Sequence, residues 1–377
     1  MKIKVCHIIT KLELGGAQGN TLYTVSNLNK NEFDAWLVTG RGGILDEKTK
    51  NIKTVFIDSL VREISPLKDF ISFIKIYKLL KKTKPDIVHT HSSKAGIIAR
   101  FAAKFAGIKK IIHTYHGFGF NDYQNFFVKH FYIFIEKLAS SFTDSIIFVS
   151  KENIKTALKY GIGNPTKYKL IRSGIKLKNL KKEKDYSFLR KLGIIKSENS
   201  VIISTVANLK PQKNPEDFFF IASEIIKEGY DAYFIYAGGG ELLDYFRKRT
   251  LEQNLEKRIH FTGWIEDPSI VYSSSDIFIL TSLWEGLPRS LVEAMAFGVV
   301  PVCYKTDGVN DIIEYGVNGF SVEIGDRKKM AELIKELIKN RDLYSKLLEN
   351  LKKIDLIEFD IDYMVRQQEE LYKRLEK

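Results

Sequence analysis

Two α/β domains, each built on a parallel, doubly wound sheet, are predicted for this chain by three observations. Short apolar runs alternate with amphipathic stretches along nearly its whole length, which is the pattern of β-α-β units rather than of hairpins. The 377 residues exceed one ordinary domain and suit two of roughly 150 to 200 residues. A polar, lysine-rich interval, 176–184 and again 191–200, separates two such series. The boundaries that follow are a first domain over 1–178, a second over 179–357, and a terminal helical segment over 358–377 that packs back on the first. Sheets of this kind bind ligands beyond the carboxyl ends of their strands, so two of them facing across a cleft direct attention to the loops that follow each strand.

The elements follow in order. An apolar run at 3–9 reads as the first strand, and a glycine turn leads into a helix from about residue 17. Short apolar runs near 35–39 and 53–57 are strands. A helix over 68–84 carries Phe70, Phe73, Ile74, Tyr77 and Leu80 at helical spacing, interleaved with Lys75, Lys78, Lys81 and Lys82. Such a stripe is either a core face beside a solvated one or a face for a membrane surface. Strands at 86–90, 110–115 and 144–149 complete the first series, and the aromatic run Phe126 to Phe134 lies in a helix between the last two. The second series has strands near 201–207, 232–237, 258–261, 276–281, 299–303 and 319–323. Ile361, Met364, Val365, Leu371 and Tyr372 give the terminal stretch a helical period.

Composition removes several function classes. The two cysteines, Cys6 and Cys303, each lie in an apolar strand-like run, so neither a disulfide framework nor a zinc knuckle is indicated, and a reducing cytosol fits. The apolar start is too short for a signal peptide, and no run approaches the roughly eighteen apolar residues of a membrane span. Residues 1–180 hold 30 Lys and Arg against 13 Asp and Glu, a net +17, and the remainder hold 29 against 33, a net −4. The basic half therefore faces nucleic acid, an anionic membrane, or solvent alone.

The motif with most chemistry is Glu285-Gly286-Leu287-Pro288, followed by Glu293. Proline suits a first helical position, which puts Glu285 in the loop and Glu293 about one and a half turns inside the helix. The amides of Gly286, Leu287 and the first helical turn then face a phosphate or a sugar hydroxyl, while the two carboxylates can accept from the vicinal diols of a ribose or a hexose. The loop Asn208-Leu209-Lys210-Pro211-Gln212-Lys213-Asn214-Pro215 sets Lys213 just before a helix, where ammonium and helix dipole converge on a point suited to a diphosphate. Gly238-Gly239-Gly240 and Gly15-Gly16 both follow strands and allow close approach of a ligand, or simply a tight turn. No G-x-G-x-x-G dinucleotide fingerprint is present. His89 and His91 share one strand face, and a core or cleft role outweighs metal ligation because no Cys or placed carboxylate joins them. His116 ends its strand at Gly117-Phe118-Gly119-Phe120 and is expected to face the cleft.

Taken together, the GGAQ turn, TYHGFGF, KPQKN, the glycines at 238–240 and EGLPRSLVEAMAFGVVPV resemble the retaining glycosyltransferases of family 4, which have the GT-B fold. The match runs almost the whole length. The resemblance implies that Glu293 holds the donor's ribose, Glu285 the hexose, and Lys213 the diphosphate, with Gly16 and the amides near Ser290 and Leu291 also on phosphate. His116 would contact the hexose and stabilise departing charge, and Trp264 or Ile265 would offer backbone atoms to the base. The family pattern has Arg where this chain has Asn208, so either Lys210 replaces that cation or phosphate is held less firmly. No cofactor and no metal are implied.

The reaction so implied moves a sugar from a nucleotide diphosphate, uridine being the expected base, with retention of configuration and no enzymic nucleophile. The leaving diphosphate itself accepts the acceptor's proton. A polyprenyl-diphosphate-linked or glycan acceptor is expected on the basic, aromatic first domain, making the protein cytoplasmic and peripheral on the inner face of an anionic membrane. Two alternatives are a nucleotide-sugar epimerase of the same architecture and a nucleic-acid-binding protein. The second lacks any RNP, KH or helix-turn-helix signature and any base-stacking platform, so nucleic acid is not expected as a partner.

Overall fold

The computed structural model describes residues 1–178 and 183–376. Residues 179–182, part of the predicted connection between domains, lie outside them. The chain divides into two compact units, Met1–Gly174 together with the segment from Ile357 onward, and Ile175–Leu356.

In the first unit seven strands form one parallel sheet: β1 (Ile3–Lys11), β2 (Phe33–Gly40), β3 (Thr54–Phe56), β4 (Ile87–His91), β5 (Lys110–Tyr115), β6 (Ser145–Phe148) and β7 (Tyr168–Leu170). Their order is β3-β2-β1-β4-β5-β6-β7. Helices cover both faces, so β1 is buried continuously from Val5 to Ile9 and shows no alternation of apolar and polar residues. The strand order reverses between β1 and β4, where the loops after the two strands diverge. The second unit repeats the plan with β8 (Val201–Val206), β9 (Ala232–Ala237), β10 (Ile259–Gly263), β11 (Ile277–Leu280), β12 (Val300–Tyr304) and β13 (Phe320–Val322), ordered β10-β9-β8-β11-β12-β13. Its reversal falls between β8 and β11. Cys6 and Cys303 are buried in different sheets, unpaired, and burial pushes both thiols far up.

Three local expectations need correction. β7 was not anticipated, since Tyr168-Lys169-Leu170 is too short to show a period. The basic helix spans Pro66–Thr83, and Phe70 lies outside its core stripe, 63% exposed, while Ser72, Ile76 and Leu80 are buried. Pro288 is the residue that caps its helix, extended at ψ 95, and the helix proper is Arg289–Ala296.

The terminal helix Ile361–Glu376 lies on the first sheet, where Ile361, Met364, Val365, Leu371 and Tyr372 join Val5, Ile87, Ile112 and Ile147 in one core. Asp360 Oδ1 accepts from the amides of Asp362 and Tyr363 at 3.0 Å, and Asp362 accepts from the Tyr23 hydroxyl at 2.5 Å, so the Asp-x-Asp pair fastens this helix. Gly174 allows the chain to pass beneath it: a Cβ there would stand 2.4 Å from the Ile361 Cα. Gly174→Ala is expected to lower stability by about 1–3 kcal/mol through that overlap, seen as a lower urea midpoint with an unchanged slope.

Candidate functional site

The loops after β8 and β11 are stitched together by hydrogen bonds to backbone atoms. Thr281, directly after β11, donates its hydroxyl to the carbonyls of Lys213 and Asn214, 3.0 Å each. The Gln212 carbonyl accepts from the Leu283 amide at 2.9 Å, and its side-chain amide donates to the Trp284 carbonyl at 2.8 Å. These four bonds fix the residues on either side of Lys213 and Glu285, and the two side chains meet in an ion pair, only 17% and 9% exposed. Asn214 turns the chain at φ +46 into the helix Pro215–Lys227, and its amide donates to Asp217 Oδ2 at 2.7 Å rather than to the helix backbone. Asp217 is held in turn by the Tyr304 hydroxyl at 2.7 Å.

The turn Glu285-Gly286-Leu287-Pro288 is closed from the other side by Thr306 to Asn310. A Cβ on Gly308 would come within 2.4 Å of the Gly286 carbonyl oxygen and 2.7 Å of the Leu287 Cα. Around this turn three buried polar atoms, Ser282 Oγ, Arg289 Nε and Thr306 Oγ1, have no hydrogen-bond partner among the described residues. Buried polar groups are nearly always satisfied, so three such atoms around one turn point to a ligand. The amide of Leu291 is not among the groups on offer: it donates to the Pro288 carbonyl at 3.1 Å, and the Leu291 side chain is fully buried. Ser290 stays half-buried on the first turn.

Glu293 projects from this helix toward two donors. The Tyr272 hydroxyl reaches Oε2 at 2.9 Å, and the Arg289 guanidinium lies 3.5 Å from Oε1. Burial pushes the Glu293 carboxyl up, and Arg289 and Tyr272 pull it back in part.

After β9, Gly238 and Gly240 take φ values of +153 and +156, and a Cβ on either would strike the carbonyls of Ala207 and Leu209. They let the loop after β9 lie flat against Asn208 to Lys210, whose backbone it bonds through Leu209 N to Gly239 O at 2.9 Å. Asn208 and Lys210 are half-buried there, with the Asn208 carbonyl accepting from the Tyr236 hydroxyl at 3.2 Å. The indole of Trp264 covers Gly239 and is 51% exposed, whereas Ile265 turns into the apolar cluster with Phe188, Val271 and Ile235. The residues brought together in the second unit are thus Lys213 on the loop after β8, Glu285, Gly286 and Leu287 on the turn, and Ser290 and Glu293 on the following helix. Gln212, Tyr272, Thr281, Arg289 and Gly308 complete the arrangement. Sequence reasoning missed those five, and only the position of Thr281 at a strand's end hinted at one.

In the first unit Gly15 caps the helix Gly16–Asn27 in extended conformation, so the pair gives space rather than an unusual backbone. His116 follows β5 directly and approaches His91 Nδ1 through its Nε2 at 3.3 Å. His89 and His91 do share a face, with ring centroids 4.2 Å apart, and His7 joins them from β1.

Residues 14–179 match the model for Glycosyltransferase Family 4, and residues 190–354 match that for Glycosyl transferases group 1. An Escherichia coli protein, UDP-Gal:alpha-D-GlcNAc-diphosphoundecaprenol alpha-1,3-galactosyltransferase, is 34% identical over 329 residues, covering 86% of this chain and 85% of that protein. The chain belongs to glycosyltransferase family 4. A Campylobacter jejuni relative of this glycosyltransferase, N,N'-diacetylbacillosaminyl-diphospho-undecaprenol alpha-1,3-N-acetylgalactosaminyltransferase, is 26% identical over 88% of the chain and 90% of its own length. Among solved structures, Anabaena HepE in complex with UDP and glucose aligns with a TM-score of 0.82 at 19% identity, over 99% of this chain and 100% of HepE. A glycosyltransferase of Rickettsia africae aligns at 0.80 and 20%, over 100% and 99%. These likenesses show that the glycosyltransferase has the GT-B fold, with two Rossmann-like domains.

The raised Glu293 carboxyl has a consequence for stability. A carboxyl whose pKa is raised in the fold contributes stability that is fully present below its unfolded value of about 4.3 and is lost as pH rises through the folded value. Glu293→Gln cannot ionise, so it is expected to melt at a higher temperature than wild type near pH 7, with the gap closing toward pH 4. Thermal melts across that range check this.

Proposed function

We propose that the protein transfers a hexose from a uridine diphosphate sugar, with retention, to a polyprenyl-diphosphate-linked sugar at a membrane surface. The observation that carries this reading is the Lys213–Glu285 pair beside a turn with three unsatisfied buried polar atoms. A cation and hydrogen-bond donors converge there on one point, as a departing diphosphate requires. The names of the E. coli and C. jejuni relatives, both of which act on sugars linked to diphospho-undecaprenol, support the acceptor class.

In this reading the donor lies along the second unit. Glu293, oriented by Tyr272 and Arg289, accepts from the ribose hydroxyls; Lys213 and the amides at Gly286, Leu287 and Ser290 take the phosphates; Glu285 accepts from the hexose. Lys210 stands in for the missing guanidinium at Asn208. The flat turn at Gly238 and Gly239 and the backbone near Ile265 give room to the nucleoside. Of the first unit, Gly15, Gly16 and His116 are the residues proposed for substrate. As the anomeric bond breaks, Lys213 turns from Glu285 to the growing phosphate charge, and a β-phosphate oxygen takes the acceptor's proton on the face the leaving group vacates.

Membrane contact has its own support. Phe127, Phe131 and Phe134 are 79%, 60% and 64% exposed on the helix Phe126–Ser141, while Ile133, Glu136 and Ala139 face inward. Phe70 and Phe105, on two other helices of this unit, are exposed as well, and both pack on Phe73. Aromatic groups among lysines suit an anionic bilayer surface, where each nearby lysine adds about 1 kcal/mol. No described helix is long and apolar enough to cross a membrane.

A transfer assay with UDP-hexoses and a GlcNAc-diphospho-polyprenol in phosphatidylglycerol vesicles tests the whole reading. An α-linked product is expected, and Lys213→Met should lower kcat/KM by a factor of about 100. Phe127→Asp with Phe131→Asp should cost rate in vesicles and not in detergent. A β-linked product, or hydrolysis without transfer, overturns it.

A further inference from the structure

Asn214 takes the left-handed conformation, φ +46 and ψ 59, between Lys213 and the helix Pro215–Lys227. It is one of four non-glycine residues at positive φ among the described residues. A residue before proline favours an extended backbone, so this turn persists only because its surroundings fix it. They do so at two points. The Asn214 carbonyl accepts from the Thr281 hydroxyl at 3.0 Å and from the Asp217 amide at 3.2 Å. The Asn214 side-chain amide donates to Asp217 Oδ2 at 2.7 Å. An asparagine ahead of a helix ordinarily accepts from the helix's first amides; this one makes no such bond and is directed at Asp217 instead.

Asp217 is buried where three elements meet. Its Oδ2 also accepts from the Tyr304 hydroxyl at 2.7 Å, and its Oδ1 lies 3.7 Å from the guanidinium of Arg327, which rests on the Phe220 ring. Tyr304 is the last residue of β12 and fully buried; burial, and then the Asp217 carboxylate, push its hydroxyl up, so it stays a donor. Thr306 donates its amide to the Tyr304 carbonyl at 2.8 Å and opens the segment whose Gly308 packs on Gly286 and Leu287. One carboxylate oxygen thus holds the loop after β8 against the end of β12. A buried carboxylate is costly to fold around, and an apolar side chain fills a buried helix face without that cost. The carboxylate at residue 217 is explained by what it orients.

We infer that Asp217 is a positioning residue for Lys213. Through Asn214 it fixes the backbone that aims the ammonium at the turn Glu285-Gly286-Leu287, and through Tyr304 it ties that aim to the segment packed on the same turn. The peptide between Lys213 and Asn214 sets where the lysine side chain leaves the chain, and its carbonyl is held by Thr281 as well. Asp217 acts through Asn214 and is not itself a substrate contact. The inference rests on the proposed role of Lys213 at a diphosphate.

The test compares three variants of the full-length protein. Asp217→Asn can keep an oxygen toward Asn214 and Tyr304, whereas Asp217→Ala removes both bonds. Asn214→Gly permits the left-handed turn but leaves Thr281 alone to hold it. Titrations with UDP and with uridine separate grip on phosphate from grip on the nucleoside. Asp217→Ala and Asn214→Gly should bind UDP about tenfold more weakly, the worth of one hydrogen bond, with uridine affinity unchanged, and Asp217→Asn should stay within about threefold of wild type on the same scale. A readout without ligand is the Lys213 ammonium signal in 15N-lysine spectra, assigned by its loss in Lys213→Arg. It should coincide in wild type and Asp217→Asn and move or broaden in the other two. Equal losses for UDP and uridine, or a wild-type signal and UDP affinity in Asn214→Gly, would overturn the inference. Should Asp217→Ala fail to fold by circular dichroism, Asn214→Gly alone decides. If wild type binds no UDP, the proposed function fails, while the lysine signals still decide the positioning role.

Discussion

The Lys213–Glu285 ion pair is the constraint on which the second unit's site depends. It brings together two loops from strands on either side of the sheet's reversal, and neither loop could place its charge alone. Thr281 and Gln212 fix the backbones through carbonyl and amide partners, so the pair forms without either long side chain having to search for its partner. Its low exposure has a second consequence. A carboxylate so placed is costly without a cation, and a ligand phosphate that draws Lys213 away leaves Glu285 needing donors. In the proposed reaction the hexose hydroxyls supply them, so that nucleotide and sugar are bound as one.

The two units use the same topology for different physical ends. In the second, the loops after β8, β9 and β11 present backbone groups, one cation and unsatisfied hydroxyls. In the first, His7 within β1, His91 at the end of β4 and His116 after β5 bond one another through their ring nitrogens. A second buried polar group, Arg100 with Glu136 and the Tyr115 hydroxyl, bonds at 2.5 and 2.6 Å and ties the helix Phe126–Ser141 to β5. The outward aromatic face of that helix is thus carried on a base fixed by charge, close in sequence to His116.

Much of this was legible in the sequence, for physical reasons that differ by element. Buried parallel strands are continuous apolar runs, so β1, β4, β5, β8, β9 and β11 are visible without alternation, whereas β7 has three residues and no pattern to show. The helix Phe126–Ser141 is apolar on nearly every side, and sequence alone does not say which side meets the sheet. Pro288 satisfies both a first helical position and a cap, and its extended ψ decides for the cap. The turn with Glu285 and the loop with Lys213 are readable because special residues mark them. Their contact is not, since it depends on Gln212 and Thr281 bonding to backbone atoms, which leave no trace in residue type. His7 joins His89 and His91 only through strand register, and Tyr372 joins them only because the terminal helix returns to the first sheet.

The most direct measurement is the affinity of UDP and of UDP-hexose, by calorimetry, for wild type and Glu285→Gln. If Lys213 is shared between Glu285 and phosphate, the variant frees the cation: UDP should bind at least as tightly as to wild type, and UDP-hexose should lose its margin over UDP. Loss of UDP binding in Glu285→Gln, or an unchanged margin for the hexose, would contradict the account.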